Sequence, residues 1–140
     1  MDYRVNNEAV TACVVAQVVR NGCDRLAVVV GLTNLLVHQK ERKHFLSTDN
    51  VKENTTIVGQ LDGGLLTVII NSLVMMIQGE CMTFREGVLT LTQSGINLCE
   101  QMKDGRSEML SRIMKDMPAV MDKVVKMEEE LLDQRYVISL

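Results

Sequence analysis

The apolar side chains of this chain recur mostly at helical spacing. Between residues 9 and 19 they return every three or four positions, and Asn21-Gly22 then ends the segment, because glycine suits the left-handed position after a helix. Leu26–Val37 is apolar nearly all round, and its run of three valines also fits a buried strand. Its length and the continuation to Phe45 favour a buried helix. Further helices are predicted over residues 50–59 and from Leu65 to Gly79, where the apolar stripe is widest.

The periodicity changes between Gly79 and Thr92. Two short alternating runs, Cys81–Phe84 and Val88–Leu91, flank the three residues Arg85-Glu86-Gly87, which predicts an antiparallel hairpin. Another helix is expected to begin at residues 92–95. A helix, a two-stranded hairpin and a helix in this order are typical of a winged-helix domain with the hairpin as its wing. An isolated hairpin between helices is the alternative.

A long helix is predicted from Arg106 to Gln134. Its apolar positions follow spacings of three and four, the seam of a heptad pattern, and Pro118 is expected to kink it. The stripe either packs on the domain's own core or faces another chain. We expect the part before Pro118 to be internal and the part after it to lie at an interface. The interface residues predicted on this basis are Val124, Met127, Leu131 and Tyr136.

The length and composition favour one mainly helical domain. The chain has 140 residues, of which 46% are hydrophobic and 3% aromatic, and it contains a single proline. The fold class expected is mainly α, a winged-helix-like domain with one β-hairpin and a long C-terminal helix. Its parts are N-terminal helices over residues 1–60, a helix-hairpin-helix core over 61–104, and a C-terminal helix and tail over 105–140.

The charge balance limits the nucleic-acid hypotheses. Fifteen basic against 18 acidic residues give a net charge of −3, which excludes a globally basic nucleic-acid binder. The strongest local cationic feature is the cluster Lys40, Arg42 and Lys43, which is interpreted either as a solvated helix end or as a docking site for phosphates or an acidic partner. Arg85 at the hairpin tip would be a second contact. Replacing the cluster by Glu is expected to leave folding intact, because exposed charges contribute little to stability.

No motif in the chain supports catalysis. Neither a phosphate-binding GxxxxGK[ST] nor a GxGxxG sequence is present, and His38 and His44 lie on opposite sides of a regular helix. The separations of the four cysteines, 10, 58 and 18 residues, match no zinc pattern. We therefore expect a non-enzymatic protein without cofactor or metal. The absence of a signal-peptide pattern and of an apolar run of about 20 residues predicts a cytoplasmic protein.

Three stretches together resemble a known family. The string Leu35–Phe45 reads Leu-Leu-Val-His-Gln-Lys-Glu-Arg-Lys-His-Phe and follows a very apolar segment, Ile70–Leu73 reads Ile-Asn-Ser-Leu, and Gly79–Thr92 forms the predicted hairpin. This layout resembles the middle component of three-component ABC systems, in which the first string typically has the form Leu-His-Lys-x-x-Arg. Val37, His38, Lys40 and Arg42 stand at the corresponding place.

The resemblance implies an adaptor function. The middle component would bridge an SMC-like ABC ATPase and an effector, such as a nuclease, in bacterial defence against phage or plasmids. It implies protein partners, with at most non-specific DNA contact. The alternative from another class is a winged-helix transcription regulator that dimerises through its terminal helix, and a homo-oligomer is compatible with both. A small enzyme is the third alternative.

Overall fold

The computed structural model describes residues 3–59, 63–102 and 108–127. Within these ranges the protein is mainly helical with a small antiparallel sheet. The elements in chain order are α1 (Tyr3–Arg20), α2 (Leu26–Val37), α3 (Gln39–Ser47), α4 (Val51–Gly59), α5 (Gly63–Gln78), β1 (Met82–Arg85), β2 (Val88–Leu91), α6 (Gln93–Met102) and α7 (Glu108–Lys126).

The N-terminal helices α1 and α2 form the centre of the core. Helix α2 is buried on all sides over most of its length, as expected of a helix that is apolar nearly all round, and α1 is buried from Val10 to Val19 except at the half-buried Ala12. Both pack against each other and against α5. The valine run of α2 is helical, so the helix interpretation was the correct one. The first 60 residues therefore supply more of the buried core than the segment 61–104, which was predicted to form it.

The helix expected to run on to Phe45 is broken at His38. This residue takes an extended conformation, with φ of −90° and ψ of 103°, and it separates α2 from α3. Its backbone N–H donates to Asn34 O (3.3 Å), and its ring Nδ1 also lies 2.7 Å from that oxygen. The ring and the backbone N–H of His38 thus share one carbonyl oxygen of α2. Side-chain interactions of this kind compete with the helix's own hydrogen bonds and favour its end. The change of direction places the cationic cluster on a separate short helix.

The predicted hairpin is confirmed, but the predicted three-residue loop with a bulge is wrong, because Arg85 belongs to β1 and pairs with Val88. The register also pairs Met82 with Leu91, and Glu86 and Gly87 form the two-residue turn. Both turn residues have positive φ, 53° and 79°, as a type I′ turn requires. Here glycine is needed at position 87, because that φ is strained for a residue with a Cβ.

A short extended segment between α1 and α2 adds to this sheet. Arg25 bridges to Val88 in antiparallel fashion, Leu89 N donates to Asp24 O (2.7 Å), and Leu26 N donates to Gly87 O (3.2 Å). β2 therefore lies between β1 and residues 24–26. The hairpin is thereby fixed to the start of α2.

The apolar seam of α7 faces the core along its described length. Pro118 lies within the helix, and the buried positions continue on both sides of it. Val124 and Met127 are 6% and 4% exposed. The prediction that they lie at an interface is therefore wrong: they are covered by the chain itself. Leu131 and Tyr136 lie outside the described residues.

Candidate interaction surfaces

The cationic cluster does not form one surface. Lys40 and Lys43 are exposed on α3, whereas Arg42 is 3% exposed. Its Nε donates to Asp116 Oδ2 (2.8 Å), and its Nη1 donates to Leu36 O at the end of α2. The expectation that Arg42 binds a partner or phosphate, and that Glu at this position leaves folding intact, is therefore corrected. The guanidinium holds α2, α3 and α7 together from inside.

The surroundings of Lys40 have mixed charge. A cleft of about 470 Å³ lies between α3 and the start of α7 and is lined by His38, Lys40, Glu108 and Arg112, among others. A second cleft of about 330 Å³ lies between α3 and α4. Lys40 and Glu41 line both clefts. Glu108 accepts from Arg112 (2.6 Å), and Glu53 lies 2.6 Å from His44 Nε2. Because Glu108 pairs with Arg112, and Glu41 and Glu53 also line these clefts, the region favours no phosphate site.

Arg85 is exposed at the end of β1, beside the exposed Glu86 of the turn. The hairpin's described surface therefore carries both signs of charge at its tip. The structure does not bring Arg85 and the cationic cluster together through any contact among the described residues. A phosphate backbone would meet a single arginine here, next to a carboxylate.

The most distinctive surface lies on α5. The helix contains no charged residue over its 16 positions. Leu65, Ile69, Leu73 and Met76 form its buried face. The opposite face leaves Thr67, Asn71, Val74 and Gln78 exposed, and Met75 beside them is 71% exposed. We call these five residues the α5 face.

Sequence periodicity does not identify the α5 face, because the wide apolar stripe predicted from Leu65 to Gly79 does not separate buried from exposed positions. The available signal was the complete lack of charge between residues 63 and 78, which is unusual for a helix with a solvated face. Large exposed apolar side chains grouped on one surface mark interaction sites in soluble proteins. Ile77 and Phe84, 36% and 37% exposed, form a separate apolar pair beside the hairpin, because Ile77 lies about 200° around α5 from Met75.

The described thiols do not form a metal site. Within residues 3–59, 63–102 and 108–127, no group of three or more His, Cys, Asp or Glu side chains could hold a metal ion. The cysteines at 13, 23, 81 and 99 are free thiols. Burial raises the pKa of Cys13 and Cys99, and for Cys99 the neighbouring thiols and Glu100 act in the same direction against Arg20.

No protein-family model matches the chain, and no curated protein or solved structure is detectably similar to it. Over the described residues no single helix is long and apolar enough to cross a membrane. Among the helices that the structure describes, α4 and α5, which are bent by 69° relative to each other, reach that length and composition when taken together.

Proposed function

We propose that the protein is a non-catalytic cytoplasmic adaptor that bridges an SMC-like ABC ATPase and an effector, such as a nuclease, in defence against phage or plasmids. The observation that carries the adaptor part is the α5 face, a large uncharged surface with Val74 and Met75 exposed. The ATPase and the effector are taken from the family resemblance. An exposed apolar surface bounded by amide and hydroxyl groups is suited to another protein.

We propose further that the fold is a winged helix with an inserted pair of helices. In this interpretation α1, α2 and α5 are the three packed helices, α3 and α4 are the insertion, and the hairpin is the wing. Two observations support it: the mutual packing of these three helices, and the antiparallel bridge from Arg25, between the first two helices, to β2. That bridge gives the sheet a third strand position in the order residues 24–26, β2, β1.

The composition of helix α5 disfavours the alternative, a dimeric DNA-binding regulator. In a winged helix the helix before the wing is the one placed in the DNA groove, and here that helix is α5. It offers no Lys or Arg for phosphates, and Asn71 and Gln78 are its only exposed amides. The proposed dimer interface of that regulator, the seam of α7, is buried through Met127.

The test uses the two proteins encoded beside this one, coexpressed with a tagged copy of the chain. We expect an ABC ATPase and an effector to copurify with it. Met75→Glu should reduce their recovery at least tenfold with an unchanged melting temperature, because a charge would be placed on the apolar contact. Ser111→Glu, at an exposed position of α7, is the matched control.

Two results would contradict the proposal. Recovery that is insensitive to both Met75→Glu and Val74→Glu would remove the α5 face as the partner surface. Nanomolar, sequence-specific binding of duplex DNA in a gel-shift competition would favour the regulator. The adaptor is expected to bind DNA only in the non-specific range, roughly 10⁻⁴–10⁻⁶ M at physiological salt.

A further inference from the structure

The sheet carries a row of three residues on the face that points away from the core. Val88 of β2 lies opposite Arg85 of β1, and on its other side it forms an antiparallel bridge with Arg25. Residues directly opposite each other in antiparallel strands project to the same face. Leu26 and Leu89, which follow Arg25 and Val88, pack in or against the core, so alternation directs the row to the other face. We call Arg25, Val88 and Arg85 the arginine row.

The backbone fixes the distance between the two arginines. The hydrogen bonds that join residues 24–26 to β2 lie on either side of the Arg25–Val88 pair, so its Cα atoms are about 4.5 Å apart. Arg85 and Val88 flank the two-residue turn as a hydrogen-bonded pair, with about 5.5 Å between their Cα atoms. The Cα atoms of Arg25 and Arg85 are therefore roughly 10 Å apart, with the half-buried Val88 between them.

The two arginines of the row carry charges that the fold does not neutralise. Arg20, Arg42 and Arg112 each form an ion pair with a carboxylate. Arg25 and Arg85 are both exposed, and neither forms an ion pair or a side-chain hydrogen bond with any residue that the structure describes. The hairpin itself supplies only Arg85, and the segment before α2 brings the second cation to the same face.

The start of helix α2 adds to this positive charge. Arg25 is the N-cap residue of α2, its side chain makes no capping hydrogen bond, and the first turn of the helix contains no acidic residue. The partial positive charge of a helix N-terminus is therefore not offset by a carboxylate of the helix itself. Together with the two guanidinium groups, it favours an anionic ligand on the arginine row.

We propose that the arginine row binds an acidic segment of a partner protein, with one carboxylate at each guanidinium and the segment crossing Val88. Acidic residues two positions apart in an extended segment lie roughly 7 Å apart on one face, which two arginines with this spacing can reach. Guanidinium groups bind carboxylates through two parallel hydrogen bonds. The exposed hydroxyl groups of Thr83 and Thr90, in the neighbouring row of the same face, supply further donors.

An acidic peptide fits this row better than a nucleic acid does. A duplex carries one charge per about 1.7 Å of its axis, so it places phosphates well beyond two cations. There it meets the exposed carboxylates of Asp24 and Glu86, which adjoin the two arginines in sequence, and the chain as a whole has a net charge of −3. A peptide can place two carboxylates on the arginines and leave the adjoining positions uncharged.

This inference goes beyond the adaptor proposal and does not rest on it. The arginine row and the α5 face share no residue, so each can be changed without the other. Loss of peptide binding at the row with partner recovery retained would leave the adaptor standing. Loss of partner recovery in Met75→Glu with peptide binding intact would be a separate failure.

The experiment titrates the full chain with a fluorescein-labelled dodecapeptide of alternating Glu and Ser, followed by anisotropy and by NMR. We expect a dissociation constant of roughly 0.1–1 mM in about 0.05 M NaCl, at least fivefold weaker in about 0.5 M NaCl. The amide of Val88 and the Nε–H groups of Arg25 and Arg85 should shift. The double variant Arg25→Gln, Arg85→Gln should weaken binding at least tenfold, and Glu86→Gln should strengthen it about twofold.

The matched control is the double variant Arg112→Gln, Lys115→Gln, which removes two exposed cations of α7 and should change binding less than twofold. A peptide with Gln in place of Glu should not bind. No binding of the Glu peptide at about 5 mM, or equal losses in the two double variants, would overturn the proposal. A 12-base-pair duplex that binds at least tenfold more tightly than the peptide, and loses that binding in Arg25→Gln, Arg85→Gln, would also overturn it in favour of a nucleic-acid surface.

Discussion

Arg42 and Asp116 join helices that are 74 residues apart in the chain. The guanidinium is 3% exposed and the carboxylate 31% exposed, with 2.8 Å between Nε and Oδ2. The same guanidinium also donates to Leu36 O, one of the carbonyls left without a helical partner where α2 ends. A side chain expected at a binding surface thus connects three helices.

Arg42→Glu should destabilise the protein by about 3–5 kcal/mol, because it removes a buried cation and leaves two carboxylates side by side. Lys43→Glu changes the neighbouring residue by the same charge at an exposed position and should stay within about 0.5 kcal/mol. Urea unfolding followed by circular dichroism measures both free energies of unfolding. Equal small losses for the two variants would contradict the structural role of Arg42.

Lys123 is a second polar residue of α7, after Asp116, whose contacts with α3 should stabilise the protein. Its Nζ donates to three carbonyls at the end of α3, those of Phe45 (3.0 Å), Leu46 (3.0 Å) and Thr48 (2.8 Å). Cations that cap helix C-termini also interact favourably with the helix dipole. Lys123→Met keeps the apolar stem and removes the charge, and we expect a loss of about 1.5–3 kcal/mol in thermal or urea unfolding.

Lys126→Met is the matched control for that variant. Lys126 is 74% exposed, and Asp122, one helical turn away, lies 3.4 Å from its ammonium. Surface pairs of this kind contribute about 0–1 kcal/mol. If Lys126→Met proved as costly as Lys123→Met, the three carbonyl contacts would not account for the effect.

What the sequence predicted well is local. The hairpin depends on alternation and on the turn residues Glu86 and Gly87, which lie within one ten-residue stretch. The seam of α7 likewise depends only on the spacing of apolar residues within that helix. Which surface covers that seam depends on α1, α2 and α3, so the periodicity could not separate an internal stripe from an interface at Val124 and Met127. The break at His38 was missed because apolar residues resume at Phe45 in helical phase.

The candidate site was predicted less well than the fold, because exposure depends on residues far away in sequence. Arg42 has nearly the same sequence surroundings as Lys43, and its contacts with Asp116 and with Leu36 O distinguish it. The lack of charge on α5 was visible in the sequence. The sequence did not show which side of this uncharged helix is exposed. That follows from the structure, in which the buried side is formed by Leu65, Ile69, Leu73 and Met76.

Gly95 should tolerate no side chain. It is buried near the start of α6, where a Cβ would lie 2.0 Å from Cys81 O and 3.0 Å from Leu91 Cδ2. The backbone of the hairpin cannot move away easily, because Thr92 N and Cys81 O are themselves hydrogen-bonded (3.0 Å). Gly95→Ala should therefore cost several kcal/mol or prevent folding. Gly63→Ala, with no atom within 4 Å of the added carbon, should be neutral or stabilise by up to about 1 kcal/mol.

Alkaline pH should destabilise the protein through Cys13 and Cys99. Burial raises the pKa of both thiols in the folded state above the value of 9.0 that they have when exposed. As the pH rises through 9, the unfolded chain therefore loses thiol protons that the folded chain retains. The unfolded state then binds fewer protons, so the free energy of unfolding falls with rising pH until the folded thiols ionise as well.

The double variant Cys13→Val, Cys99→Val removes both titrations while nearly conserving side-chain volume. Urea unfolding at pH 7.5 and pH 9.5 should show a smaller loss of stability for this variant than for the wild type. Cys23→Val, at a half-buried position outside the core cluster, controls for replacing a cysteine as such and should retain the wild-type loss. All lysines, arginines, histidines and acidic residues are the same in the three proteins, so the comparison isolates the effect of replacing the thiols. Identical pH dependence in the double variant and the wild type would show that these thiols ionise alike in both states.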